Sequence, residues 1–322
     1  MADLMPPFLL HVPRIDARAA IMSFVAAVAL LTLKFIAYFL TNSSAIFSDA
    51  LESIANVAAA GFALYALHMA HRPPDHDHPY GHGKIEFLSA GFEGSMILTA
   101  ALVAVLRAAD AILHKADLHT DSVGIGLGLL GIALVVNAII GVSLVRVGRR
   151  SGSVTLEADG RHLLSDAVTS VAAIGGLVVV RLTGWNYADP IAALVVAGYI
   201  GYTGVKLMRG AVGGLMDQQD EKDEKLIRSI LDAHLGPGGK LPWICSYHKL
   251  RHRHSGRYHW VDFHLMMPPH WDVRRGHLVA SAIEDEIEEA LGIGNATAHI
   301  EPCNDPACIW CAEEREGLAK VK

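Results

Sequence analysis

The sequence predicts an α-helical membrane bundle of six transmembrane helices, followed by a small cytoplasmic α+β domain of ferredoxin-like αββαβ order. Three observations predict it. Apolar residues make up 52% of the 322 and charged residues only 19%, at a mean hydropathy of +0.33, more apolar surface than a water-soluble chain hides. Six windows (19–40, 45–69, 87–113, 123–147, 156–182 and 191–208) approach or exceed the ~20 residues that cross a hydrocarbon core. After Met216 the chain turns charged, His-rich and amphipathic for about 100 residues, a usual domain size. The expected division is 1–216 for the membrane domain, 217–302 for the cytoplasmic domain and 303–322 for a Cys-containing tail.

The N-terminal stretch MADLMPPFLLHVPRIDAR has neither a positive leader nor an A-x-A cleavage site, so the first window reads as a retained helix. Within it Lys34 suits snorkelling or helix pairing. The second window carries Asp49, Glu52 and Asn56 in SDALESIAN. It runs into RPPDHDHPYGHGK, whose prolines and glycines exclude helix and set a tight turn. The fifth window carries Asp159, His162 and Asp166 in ADGRHLLSDAVTS, and the sixth ends near Met208. Basic residues fall on alternate connections: Arg14 and Arg18, then Arg72 and Lys84, then Arg146, Arg149 and Arg150. The positive-inside rule therefore places both termini in the cytoplasm, although Arg107 and Arg181 lie near the opposite face. The cysteines sit in the C-terminal domain or its tail, a reducing compartment in this topology, so structural disulfides are not expected.

Beyond Met216 the pattern reads helix 223–235, strands 244–252 and 259–267, helix 273–291 and strand 297–301. Val261, Phe263 and Leu265 alternate with Trp260, Asp262 and His264, a half-buried strand. The second helix of this domain places Leu278, Ile283, Ile287 and Leu291 on its apolar side, with Glu284, Asp285, Glu286, Glu288 and Glu289 largely solvated.

Ionisable side chains inside a spanning helix cost at least ~2.5 kcal/mol each on insertion scales, so their default reading is functional. Asp159, His162 and Asp166 follow i, i+3, i+7, within an arc of about 60° at 3.6 residues per turn. Asp49, Glu52 and Asn56 repeat that spacing. Facing each other, Glu52, Asn56, His162 and Asp166 make a four-ligand site of oxygen and nitrogen donors, suited to a divalent metal such as zinc. Asp49 and Asp159 are accessory to it. His162 must be neutral to ligate and ordinarily titrates near pH 6.5, so metal and proton compete for one group. Asp75, His76, Asp77, His78 and His82 form an oxygen and imidazole cluster in the loop. In the tail, Cys303, Cys308 and Cys311 carry zinc-like spacing in their last pair.

These motifs resemble the cation diffusion facilitator family of metal/proton antiporters, and the resemblance covers nearly the whole chain. It implies a transport site on the second and fifth helices, a homodimer in the lipid bilayer, and protons as the counter-ion. His162-x-x-x-Asp166 matches the zinc-transporting pattern. The second helix departs from the family, with Glu52 and Asn56 where His or Asp and then Asp are usual. Zinc is therefore favoured as substrate and regulatory ligand, with iron, cobalt, nickel, manganese and cadmium as alternatives. The resemblance assigns Asp75, His78 and His82 to a surface loop site. It assigns His248, His264, His277, His299 and Glu301 to a cytoplasmic site at the dimer interface, and Lys84 with Asp217 to an interlock near it. His252, His254, His259 and His270 read as surface histidines.

The expected location is a plasma membrane, the inner membrane of a bacterium. The chain has no H-E-x-x-H, G-x-S-x-G or P-loop motif, which argues against an enzyme. A net charge of −6 and the short basic run Arg251–Arg253 do not point to nucleic acid. A rival to the transporter is a membrane metal sensor or scaffold without turnover, which the amide of Asn56 keeps in view.

Overall fold

The computed structural model describes residues 12–41, 44–114, 123–183 and 187–311, which form two compact units divided between Leu215 and Met216. The first unit holds six long helices: α1 (Arg14–Thr41), α2 (Ser44–Ala70), α3 (Ile85–His114), α4 (Val123–Ser151), α5 (Val154–Thr183) and α6 (Ala188–Leu215). Five are long and apolar enough to span a bilayer; α5 is not among them. The sequence reading counted α5 among six qualifying windows, and packing accounts for its lower apolarity. α5 touches each of the other five helices, so Asp159, His162 and Ser165 are 2%, 4% and 5% exposed. The N-terminal half of α5, shielded by its neighbours, escapes the need for an apolar surface, whereas beyond Ser170 the helix exposes Val171, Val178 and Leu182.

Small residues let α5 sit so deep. A Cβ on Gly160 would come within 2.8 Å of the Gly141 carbonyl oxygen on α4, a backbone approach that only glycine permits. The N-terminus of α5 is satisfied from another helix: the buried Glu86 of α3 accepts hydrogen bonds from Ser153 Oγ (2.7 Å) and the Thr155 amide (3.2 Å). A carboxylate at a helix N-terminus meets both orphan N–H groups and the positive end of the dipole. Lys34 Nζ donates to Ser53 Oγ at 2.7 Å, pairing α1 with α2.

The second unit runs α7 (Glu221–Ala233), β1 (Ser246–Ser255), β2 (Tyr258–Met267), α8 (Val273–Leu291) and β3 (Gly294–Pro302). Asp220 caps α7 through the amides of Lys222 and Asp223, and Asp272 caps α8 through the Arg275 amide. The hairpin β1–β2 is antiparallel and turns at Gly256, whose φ of 61° suits a two-residue loop. β3 pairs parallel to β2, giving a mixed sheet in the order β1-β2-β3. One face of β2, Val261, Phe263, Leu265 and Met267, packs with Ile227 and Leu231 of α7 and Val279, Ile283 and Ile287 of α8.

Two expectations change here. Leu278 is 63% exposed, and the buried stripe of α8 runs Gly276, Val279, Ala280, Ile283, Ile287 instead. A step of five residues from Leu278 to Ile283 rotates about 140°, so the two cannot share a face. The acidic residues of α8 are also less idle than solvated charges. Glu288 accepts from the Ala296 amide at 2.8 Å and Glu284 from the Ala298 amide at 2.7 Å. One helical turn of carboxylates thus covers alternate amides of the edge strand β3, which would otherwise invite another strand.

Candidate metal sites

The first cluster lies within the bundle. Asn56 of α2 and His162 and Asp166 of α5 converge: His162 Nε2 is 3.3 Å from Asn56 Oδ1, Asn56 Nδ2 donates to Asp166 Oδ2 at 3.2 Å, and His162 Nε2 lies 3.7 Å from Asp166 Oδ2. The side chains of Asp49 and Glu52 lie outside the described residues, although both fall within α2. Asp159 is held one turn away, accepting from Ser23 Oγ of α1 at 2.7 Å.

Sequence reading missed one member. Glu93 of α3 is fully buried, its carboxylate 3.7 Å from His162 Nδ1, and among the described residues neither of its oxygens has a hydrogen bond. The signal was available: Glu93 is an acidic residue in the middle of an apolar helix, the criterion already applied to the second and fifth windows. It is a weaker signal because α3 lacks the close i, i+3, i+7 stripe of the second and fifth windows, with Glu86 seven residues away as its nearest carboxylate on the helix.

The loop cluster closes around Asp75. His78 Nδ1 lies 3.0 Å and His82 Nε2 3.2 Å from its two oxygens, and the imidazole rings are 4.4 Å apart. Desolvation pushes the Asp75 carboxyl up, but the His78 amide and the two imidazoles outweigh it and hold the group below its usual value. His76 and Asp77 pair with each other in solvent. Asp75, His78 and His82 offer three ligand atoms within 4.8 Å of one another.

On the open face of the second unit's sheet, the strand register sets His248, His264 and His299 side by side across β1, β2 and β3. Glu301 joins them from β3: His264 Nδ1 is 2.7 Å, His248 Nε2 3.0 Å and His299 Nε2 3.8 Å from its carboxylate. Contact with His264, and then with His248, holds the Glu301 carboxyl below its usual value. His277 does not join this cluster. It is exposed on α8, and α8 packs on the other face of the sheet.

His254 and His259, read from sequence as surface histidines, are half-buried and converge on Asp223 at 2.9 and 3.2 Å, with their rings 4.4 Å apart. His252 is 4% exposed, bound to the backbone of Asp220. The β1–β2 register shifts between His248 and Arg251, and the hairpin end beyond it meets Asp223 of α7, which residue spacing alone does not reveal. His270 is exposed, as read. Lys84 and Asp217 belong to different units. Lys84 is half-buried just ahead of α3, and Asp217 pairs with Arg253 at 3.6 Å.

Comparison with known proteins follows this division. The cation efflux transmembrane domain matches residues 20–216, and the cytoplasmic domain of cation efflux proteins matches residues 220–303. An uncharacterized transporter of Synechocystis sp. is 37% identical over 288 residues, covering 89% of this chain and 90% of its own. The cation-efflux pumps FieF of Salmonella arizonae and Salmonella schwarzengrund are each 29% identical over 293 residues, 90% of this chain and 94% of theirs.

Proposed function

The chain belongs to the cation diffusion facilitator family of cation efflux transporters, and from that premise we propose that it exports a divalent metal, zinc first among them, in exchange for protons. It works as a homodimer of six-helix bundles with both termini in the cytoplasm, in a bacterial inner membrane. The observation that carries the reading is the convergence of Asn56, His162 and Asp166 within the bundle. Imidazole nitrogen and carboxylate oxygen suit zinc and its neighbours, and the absence of thiolates from this cluster disfavours copper(I). Glu52, on the same helix as Asn56 and one turn before it, supplies the remaining carboxylate.

Exchange follows from competition at His162. Its Nε2 faces Asn56 and Asp166, and its Nδ1 faces Glu93. A metal entering from the cytoplasm takes the Nε2 lone pair and displaces a proton; protons entering from the other side return to the same group and release the metal. Glu93 orients the ring and favours the Nδ1–H tautomer, as outer partners of ligating histidines do. The loop cluster of Asp75, His78 and His82 raises the local metal concentration. Metal at His248, His264, His299 and Glu301 tightens the dimer and biases the membrane helices, through different affinity in two states. His277 reaches that site only across a dimer interface, and the Lys84–Asp217 interlock likewise belongs to the assembled dimer.

The decisive experiment is flux into proteoliposomes under an imposed pH gradient, testing zinc, iron(II), cobalt, nickel, manganese and cadmium separately. Transport of one or two of these metals, abolished in Asp166→Ala, is the expected result. One observation favours a second reading: Asn56 presents a neutral amide that already donates to Asp166. Metal binding without flux for every ion tested would make the chain a sensor.

A further inference from the structure

The four cysteines of the chain are Cys245, Cys303, Cys308 and Cys311. Sequence spacing connects only the last three, and three thiols fall short of a complete tetrahedral set. The fold supplies the fourth. Cys245 precedes β1 and its amide donates to the Met266 carbonyl at 2.8 Å; Cys303 follows β3 and its amide donates to the Met267 carbonyl at 2.7 Å. The end of β2 therefore draws together two residues 58 positions apart in sequence. The chain then turns at Asp305, whose carboxylate accepts from the Ala307 amide at 2.8 Å, and returns Cys308 and Cys311 to the same place.

All four sulfurs lie within 4.8 Å of one another, and Cys245 and Cys311 are 3.3 Å apart. A tetrahedral zinc with Zn–S bonds of ~2.3 Å needs sulfur–sulfur edges of ~3.8 Å, which these separations bracket. Cys245, Cys303 and Cys311 are buried, packed with Trp243 and flanked by Trp271 and Trp310. The Trp310 ring sits so close to Gly236 that a methyl there would come within 2.6 Å of it, so the turn after β3 is docked against the domain.

We propose that Cys245, Cys303, Cys308 and Cys311 form a closed tetrathiolate site for one structural zinc-type ion, which ties the chain beyond β3 onto the second unit. Sulfur donors and full coordination separate it from the oxygen and imidazole clusters. Such a site holds its metal permanently and leaves no open position for exchange. Cys308 and Cys311 lie past residue 303, where the match to the family's cytoplasmic domain ends, so the site is an addition to that domain.

Because the chain has only these four cysteines, any thiolate-to-metal charge transfer reports this site alone. The test adds cobalt(II) to the reduced, metal-stripped full-length protein in detergent. The expected result is one cobalt per chain with thiolate charge transfer and intense tetrahedral d–d absorption, bleached by one equivalent of zinc. In the unmutated protein, zinc should slow alkylation of all four thiols at least tenfold and a chelator should restore it, which removes any reliance on a variant that folds poorly. Cys308→Ser should weaken zinc retention at least tenfold. Absence of the charge-transfer band, thiols that react equally with and without zinc, or a Cys245–Cys311 disulfide in protein whose thiols are trapped before extraction from the membrane would each overturn the proposal. The readout is sulfur–metal bonding and not flux, so it succeeds or fails independently of the transport reading.

Discussion

His162 faces Asn56 of α2 and Asp166 of its own helix through Nε2, and Glu93 of α3 through Nδ1, so in the proposed mechanism one ring must both ligate and be oriented. Replacing it with alanine should reduce metal flux to background, and any residual flux should no longer respond to the pH gradient. Full pH-dependent exchange in that variant would sink the competition mechanism. Glu93→Gln keeps the shape of the buried side chain while removing its charge. It should leave the protein folded and shift the pH profile of transport, because the ring loses the carboxylate that favours its Nδ1–H form. A merely structural Glu93 would change stability and leave the profile where it was.

At the scale of elements, the contacts that place these residues are close backbone approaches and cross-element caps. α4 and α5 meet at Gly141 and Gly160, and any side chain at 160 must part them. Gly160→Val should lower the thermal transition of the detergent-solubilised protein and cut flux together, since overpacking costs roughly 1–3 kcal/mol. In the second unit, α8 docks on β3 through Glu284 and Glu288, whose carboxylates take the Ala298 and Ala296 amides. Glu288→Ala leaves a half-buried amide unpaired, a loss of about 1–3 kcal/mol; denaturant unfolding of the second unit should register it, whereas the solvated Glu289→Ala should not.

Glu286 lies on the same helix and supplies a pH signature. The Lys240 ammonium beside it, with His234, holds its carboxyl below the usual range. Its contribution is therefore complete above the unfolded pKa and is lost as pH falls through the lower folded value. Stability of the second unit should decline on acidification below about pH 4.3, the ordinary glutamate range, and Lys240→Met should flatten that decline. An unchanged acid limb in the variant would remove Glu286 from the account.

Over the whole molecule, the two units present opposite surfaces. The first exposes large apolar side chains such as Phe39, Leu40, Leu182 and Val195 at 77%, 82%, 81% and 70%, a surface suited to lipid. The second packs a core of apolar residues between the sheet and two helices, leaving single residues such as Leu241, Val273 and Leu278 exposed. A fragment covering 216–322 should accordingly stay soluble without detergent and sediment as a dimer, the dimer tightening when zinc is added. A fragment that remains monomeric at high concentration with zinc would count against dimerisation through this unit.

The helical bundle, the shift in character after Met216, the αββαβ order and the pairing of polar residues on the second and fifth helices were all legible in the chain, because periodicity and hydropathy are local properties. So was the loop cluster, whose three side chains lie within eight residues. What tertiary structure decided is what meets across long separations: Glu93 against His162, Asp223 against His254 and His259, Cys245 against the C-terminal cysteines. It also buried the polar N-terminal half of α5 against other helices and turned Leu278 outward. A sequence carries the period of each element, but the rotation of one element against another is set by close packing among residues far apart in the chain.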